Sequence, residues 1–130
     1  MRSVMYIAIN KDLDGLMKEP GKIGAHTAHA IFDYMWTKYY ELNNRYDSYG
    51  KYEELIDNFK FNGDTIVVVK ASQKDMLKWE KEGYVAVRDR GLTCVEPDSL
   101  TAINLGIYDK DKGIPKWIQR LRLLKREDCI

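Results

Sequence analysis

The chain has 130 residues, 45% hydrophobic and 32% charged with the signs mixed, which is enough for one buried core and argues against a disordered chain. Lys and Arg number 21 against 20 Asp and Glu, a formal net charge of +1, so any polyanion must be read by a local patch rather than by a global field. The two cysteines, Cys94 and Cys129, exclude a disulfide scaffold and lack metal-ligand spacing, and no apolar run approaches the ~18 residues of a membrane span. The apolar run after Met1 is also too short for a secretory leader, so a single domain over 1–130 in a reducing, cytoplasmic setting is expected, with no membrane partner.

Val4 to Ile9 is nearly all apolar and reads as a strand buried on both faces. Lys11 to Lys22 follows as a loop punctuated by Gly15, Pro20 and Gly21. From Lys22 the pattern turns helical, with Ala28, Ile31, Phe32, Met35, Tyr39 and Leu42 recurring at three- and four-residue steps. Thr65 to Val69 is the most β-prone run. Ser72 then caps a helix that should stop at Gly83. Tyr84 to Val87 and Leu100 to Ile107 read as the third and fourth strands. Pro115 suits the first turn of a last helix, with Trp117, Ile118, Leu121 and Leu124 on one face. This alternation predicts an α/β fold: a three-layer α/β/α sandwich on a small mixed four-stranded sheet. Ligands of such sheets bind beyond the carboxyl ends of the strands, which directs attention to Lys11 to Lys22 and Arg88 to Cys94.

Lys22 opens a helix, where a cation opposes the macrodipole but, beside free backbone amides, makes an anion site. A nucleotide-hydrolysing P-loop is disfavoured, because Ile23 stands where the magnesium-binding hydroxyl belongs. His26 and His29 are three apart without a third ligand, so no metal is expected; His29 reads as a structural histidine able to pair with Asp33. Arg88-Asp89-Arg90-Gly91 places an acid between two arginines at a strand end, which favours its ionised form. Charge is uneven: residues 31–64 hold four basic and seven acidic residues and many tyrosines, whereas 108–130 hold seven basic and four acidic. Lys116, Arg120 and Arg122 thus form either a solvated face or a contact for an RNA backbone.

Together, Asp12-Leu13, GKIGAHTAHA from Gly21 to Ala30, IVVVKAS from Ile66 to Ser72, RDRGLTCVEPDSLTAINLGI from Arg88 to Ile107 and LRLL from Leu121 to Leu124 resemble the type II peptidyl-tRNA hydrolase family. The motifs occur in family order across nearly the whole chain. The resemblance implies hydrolysis of the ester joining a peptide to the terminal ribose of tRNA, with no metal or other cofactor. It implies Lys22, Asp89, Thr93 and Thr101 as catalytic residues. Asp89 would orient and activate water, and Lys22 would stabilise the oxyanion or hold a phosphate. His26, Arg88, Arg90, Lys116, Arg120 and Arg122 are expected to bind substrate, and His29 to be structural. The partner implied is peptidyl-tRNA; homodimer formation is left open. Three departures stand out: the family's glutamine is His26 here, DAGRT is DRGLT, and a commonly basic position is Asn10. The competing class is a family member without catalysis, serving as an RNA- or protein-binding module.

Overall fold

The computed structural model describes residues 2–43, 50–63, 65–90 and 94–130. In chain order the elements are β1 (Ser3–Asn10), α1 (Asp14–Met17), α2 (Pro20–Asn43), α3 (Lys51–Asn62), β2 (Thr65–Ala71), α4 (Gln73–Lys81), β3 (Val85–Arg88), β4 (Leu100–Asp109), α5 (Lys116–Gln119) and β5 (Arg122–Leu123). The strands form one sheet in the order β3-β4-β1-β2-β5, with β1 parallel to β2 and the other pairs antiparallel. The α/β class and mixed sheet are as expected. The sheet has a fifth strand, because the helix after Pro115 ends at Gln119 and Arg122–Leu123 pairs with Lys70 and Val69. Leu121 and Leu124 keep helical spacing, but the unpaired edge of β2 offers the backbone a ladder that local periodicity cannot reveal.

β1 is central and almost wholly buried, as a strand covered on both faces must be. On one side Met5, Ile7 and Ile9 meet Ile23, Ala30 and Tyr34 of α2 and Phe59 of α3. On the other, Ala8, Val69 and Ile103 meet Met76 and Trp79 of α4 and Ile118 of α5. Each layer is thus sealed by a separate apolar cluster, the dominant favourable term in folding.

The buried face of α2 differs in part from the one predicted. Ile31 and Met35 pack against the core as expected, but its buried members are Ile23, Ala30 and Tyr34, whereas Phe32 is 62% and Tyr39 45% exposed. Apolar side chains surround this helix from Ala30 to Tyr40, so spacing alone selects no face. Two smaller differences follow from turn chemistry. Pro20 and Gly21, read as loop, are the first residues of α2, since a proline at the first helical position loses no hydrogen bond. Gly15 lies inside the one-turn α1, where a Cβ would stand 2.2 Å from the Cys94 carbonyl oxygen. That glycine serves close approach, not only a turn. The helix capped by Ser72, whose hydroxyl accepts from the Asp75 amide, is present and is followed by Gly83 at a positive φ of 102°.

Candidate active site

β1, β2 and β3 all run the same way, so their carboxyl ends form one rim together with the start of β4. Three segments converge there. Lys22 and His26 come from the first turns of α2, one turn apart and therefore on one face. Asp89 follows β3 directly, with its backbone fixed by two hydrogen bonds: its amide donates to Ser99 O (2.9 Å), and its carbonyl accepts from the Asp98 amide (2.6 Å). Thr101 is the extra residue of a β-bulge in β4, because Val87 pairs with Ala102 while Arg88 pairs with Leu100. The bulge turns a fully buried hydroxyl toward α2.

The groups form a chain. His26 Nε2 lies 3.0 Å from Asp89 Oδ2, and His26 Nδ1 lies 2.9 Å from Thr101 Oγ1, which is also 3.3 Å from the Val87 carbonyl oxygen. Burial lowers the His26 pKa; Asp89 pulls it up but does not prevail, and His29 and Lys22 push it further down. A neutral imidazole carries one N–H, and an ionised carboxylate can only accept. With its proton on Nε2 the neutral ring donates to Asp89 and leaves Nδ1 as an acceptor for Thr101 Oγ1–H, whose single proton the Val87 carbonyl competes for. The histidine links the aspartate to the buried threonine.

Lys22, His29, Arg90 and Asp89 line one open cleft of about 480 Å³ beside this chain. The Lys22 and Ile23 amides both donate to the Glu19 carbonyl (2.9 and 3.0 Å). The anion site expected from free amides at the helix start is therefore not built from these two, and the cation there is the Lys22 ammonium. His29 is exposed at the cleft rather than packed in the core. Arg88 borders the cleft, but its guanidinium holds Glu80 in a two-pronged pair (2.9 and 2.7 Å) and the Asp98 carbonyl at 2.6 Å. It clamps α4 to the exit of β3, raising its own pKa and lowering that of Glu80. Thr93 lies outside the described residues.

The remaining basic candidates lie elsewhere. Lys116 and Arg120 flank α5, in the layer opposite α2, and Arg122 is on β5, at the sheet edge furthest from β3. The structure does not bring them to the Asp89 cleft. Among the described residues no group of His, Cys, Asp and Glu could hold a metal ion, and no helix is long and apolar enough to cross a membrane. Sequence reasoning missed the link role of His26; the signal was its placement one turn after Lys22. It also missed that Asn10 is fully buried, donating to Leu100 O (2.8 Å) and to the Gln73 side chain and accepting from the Asp12 amide (3.0 Å). Asp12 in turn accepts from the Gln73 amide (2.7 Å), tying the first loop to the start of α4.

A rim in which a lysine, an aspartate and an oriented histidine meet on an open cleft is equipped for water-dependent cleavage of an activated acyl bond. Comparison with known proteins gives the family. The model of the family described as peptidyl-tRNA hydrolase PTH2 matches residues 3–124, and the chain belongs to that family. It is similar to the peptidyl-tRNA hydrolase of Methanocaldococcus jannaschii, 33% identical over 127 residues that cover 92% of this chain and 98% of the relative. It is also similar to that of Thermoplasma acidophilum, 31% identical over 127 residues covering 92% and 97%. The family expected from the motifs is the family found, and with it the hydrolase class.

Proposed function

We propose that this protein hydrolyses the ester between a peptide and the terminal ribose of tRNA, with Asp89 and Lys22 as its catalytic residues. The observation that carries the reading is the shared cleft: Asp89, held by His26, and Lys22 border the same open space at the strand ends. Asp89 takes a proton from a water that attacks the ester carbonyl carbon. The bond from that carbon to the ribose oxygen then breaks, and the proton passes to the departing ribose hydroxyl. Lys22 faces the developing oxyanion, where a fixed positive charge is worth most. His26 donates to Asp89 from a neutral ring, so it positions the carboxylate without cancelling its charge. Thr101 is buried beneath the histidine and acts through it, so it is a positioning residue and not a nucleophile. Arg90, exposed on the cleft, is placed to meet a phosphate near the ester.

The test is turnover of purified peptidyl-tRNA by Asp89→Asn and Lys22→Ala. Loss of general-base help predicts a fall of about 10²–10⁴-fold for the first, and loss of the oxyanion charge about 10²–10³-fold for the second. Folded variants that keep wild-type turnover would remove the assignment. Full substrate binding by the wild type without ester cleavage would establish the binding-module reading instead.

A further inference from the structure

β3 forms one edge of the sheet. Among the described residues this terminal strand pairs only with β4. Ala86 faces the α4 side of the sheet and Val87 the α2 side, yet both line the Asp89 cleft, which therefore lies along the strand's edge. A second cleft of about 430 Å³ lies beside it, bordered by Tyr34 and Lys38 of α2, by Gly83 to Val85, and by Asn104 to Tyr108 of β4 beyond the start of β3. The two meet where Asp33 adjoins Tyr34 and where Ala86 adjoins Val85. The two clefts together border β3 from Asp89 back to Gly83, each with α2 residues on its opposite wall.

We infer that this groove binds the peptide arm of the substrate as an extra strand on the free edge of β3; the inference rests on the hydrolase reading above. At the ester the substrate divides, nucleotide to one side and peptide to the other. The groove away from Asp89 suits the second. Its cation, Lys38, is paired with Glu41 (3.0 Å), and Glu82 also borders it, so it repels phosphate. Lys22 and Arg90 stand at the Asp89 end, where the nucleotide must lie. With the acyl carbon at Asp89 and the amino end toward Gly83, the peptide runs parallel to β3. The strand's four residues accommodate about 13 Å of extended chain at ~3.3 Å per residue. Recognition through main-chain N–H and C=O groups is blind to side chains, which fits a substrate class whose peptides vary in sequence.

The experiment uses the wild-type enzyme and three tRNA esters: N-acetyl-alanine, N-acetyl-tetra-alanine, and the tetrapeptide with its inner amides N-methylated. Lengthening should raise kcat/KM by about 10-fold, the yield of a few net hydrogen bonds, and N-methylation should abolish most of that gain. Replacing the inner alanines by serine or leucine should change little. Equal kcat/KM for short and long esters, or indifference to N-methylation, overturns the groove while leaving the hydrolase intact. So does a gain that follows side-chain size and vanishes in Trp36→Ala, which would assign the peptide to the exposed aromatics of α2. Cleavage of none of the three overturns the hydrolase reading itself.

Discussion

The two edges of the sheet each present an aspartate held by a basic partner, and the partners differ in kind. At the β5 edge Asp128 meets the Lys70 ammonium at 2.6 Å and also accepts from the Lys125 amide at 2.8 Å. At the β3 edge Asp89 meets an imidazole that burial keeps neutral. A full cation neutralises its carboxylate and lowers its affinity for a proton; the Lys70 hydrogen bond, then that from Lys125, holds Asp128 below the ordinary range. At Asp89 the donor carries no charge, so the contact aims the carboxylate without neutralising it. The β5 edge is also two residues long and charged, two common devices against unwanted strand pairing, whereas β3 borders an open groove. The ion-paired aspartate and the candidate catalytic one thus sit at opposite edges of one sheet.

The contrast breaks most visibly at the aspartates. Asp89→Asn should cost about 10²–10⁴-fold in turnover with little change in unfolding midpoint, whereas Asp128→Asn should leave turnover intact and weaken the protein only as a structural pair does. Enzyme assays beside denaturant curves for both variants check this, and equal loss of activity would erase the distinction. Backbone contacts come next. Gly15→Ala drives a Cβ against the Cys94 carbonyl and should destabilise by about 1–3 kcal/mol, read as a lowered denaturant midpoint.

The pH dependence of stability separates the same two pairs. His26 has its folded pKa depressed below 6.5, so the unfolded chain binds the proton first. Its contribution is complete above pH 6.5 and declines as pH falls from there toward the folded value. Asp128 has its folded pKa depressed below 3.8, so its contribution persists above that and is lost on further acidification. Stability should therefore fall in two stages. His26→Gln, which can still donate to Asp89, should abolish the upper stage and flatten the acid limb of the pH–rate profile while retaining most activity. An unchanged limb would mean that another group titrates there.

What the sequence disclosed followed the range of the signal. β1, β2 and the Ser72 helix were legible because buried apolar runs and caps are local. The class of sheet followed from their alternation. The site was half legible: Lys22 and Asp89 carry motif resemblance, but the contact of His26 with both Asp89 and Thr101 depends on a bulge between β3 and β4, which no single segment specifies. Arg88 shows the converse, since a basic residue beside a catalytic candidate reads as a ligand for substrate until Glu80 is found across from it. The same holds for β5, whose two residues become a strand only because β2 leaves an edge open.

The smallest predicted effect concerns whether the β5 edge is only structural. Arg122 borders a cleft of about 460 Å³ with Lys70 and Lys125, across the full width of the sheet from β3. Four inter-strand steps at ~4.8 Å put the two edges about 19 Å apart, a span of only a few nucleotides of backbone. A tRNA end held at Asp89 could therefore reach Arg122 with its backbone while the ester stays in the cleft. If it does, Arg122→Glu weakens binding, lowers the slope of log affinity against log salt by about 1–2, and raises KM while sparing kcat. A salt titration of tRNA affinity for wild type and variant decides the point. Superimposable lines would confine nucleic-acid contact to the Lys22 and Arg90 side, and the β5 edge would then serve the fold alone.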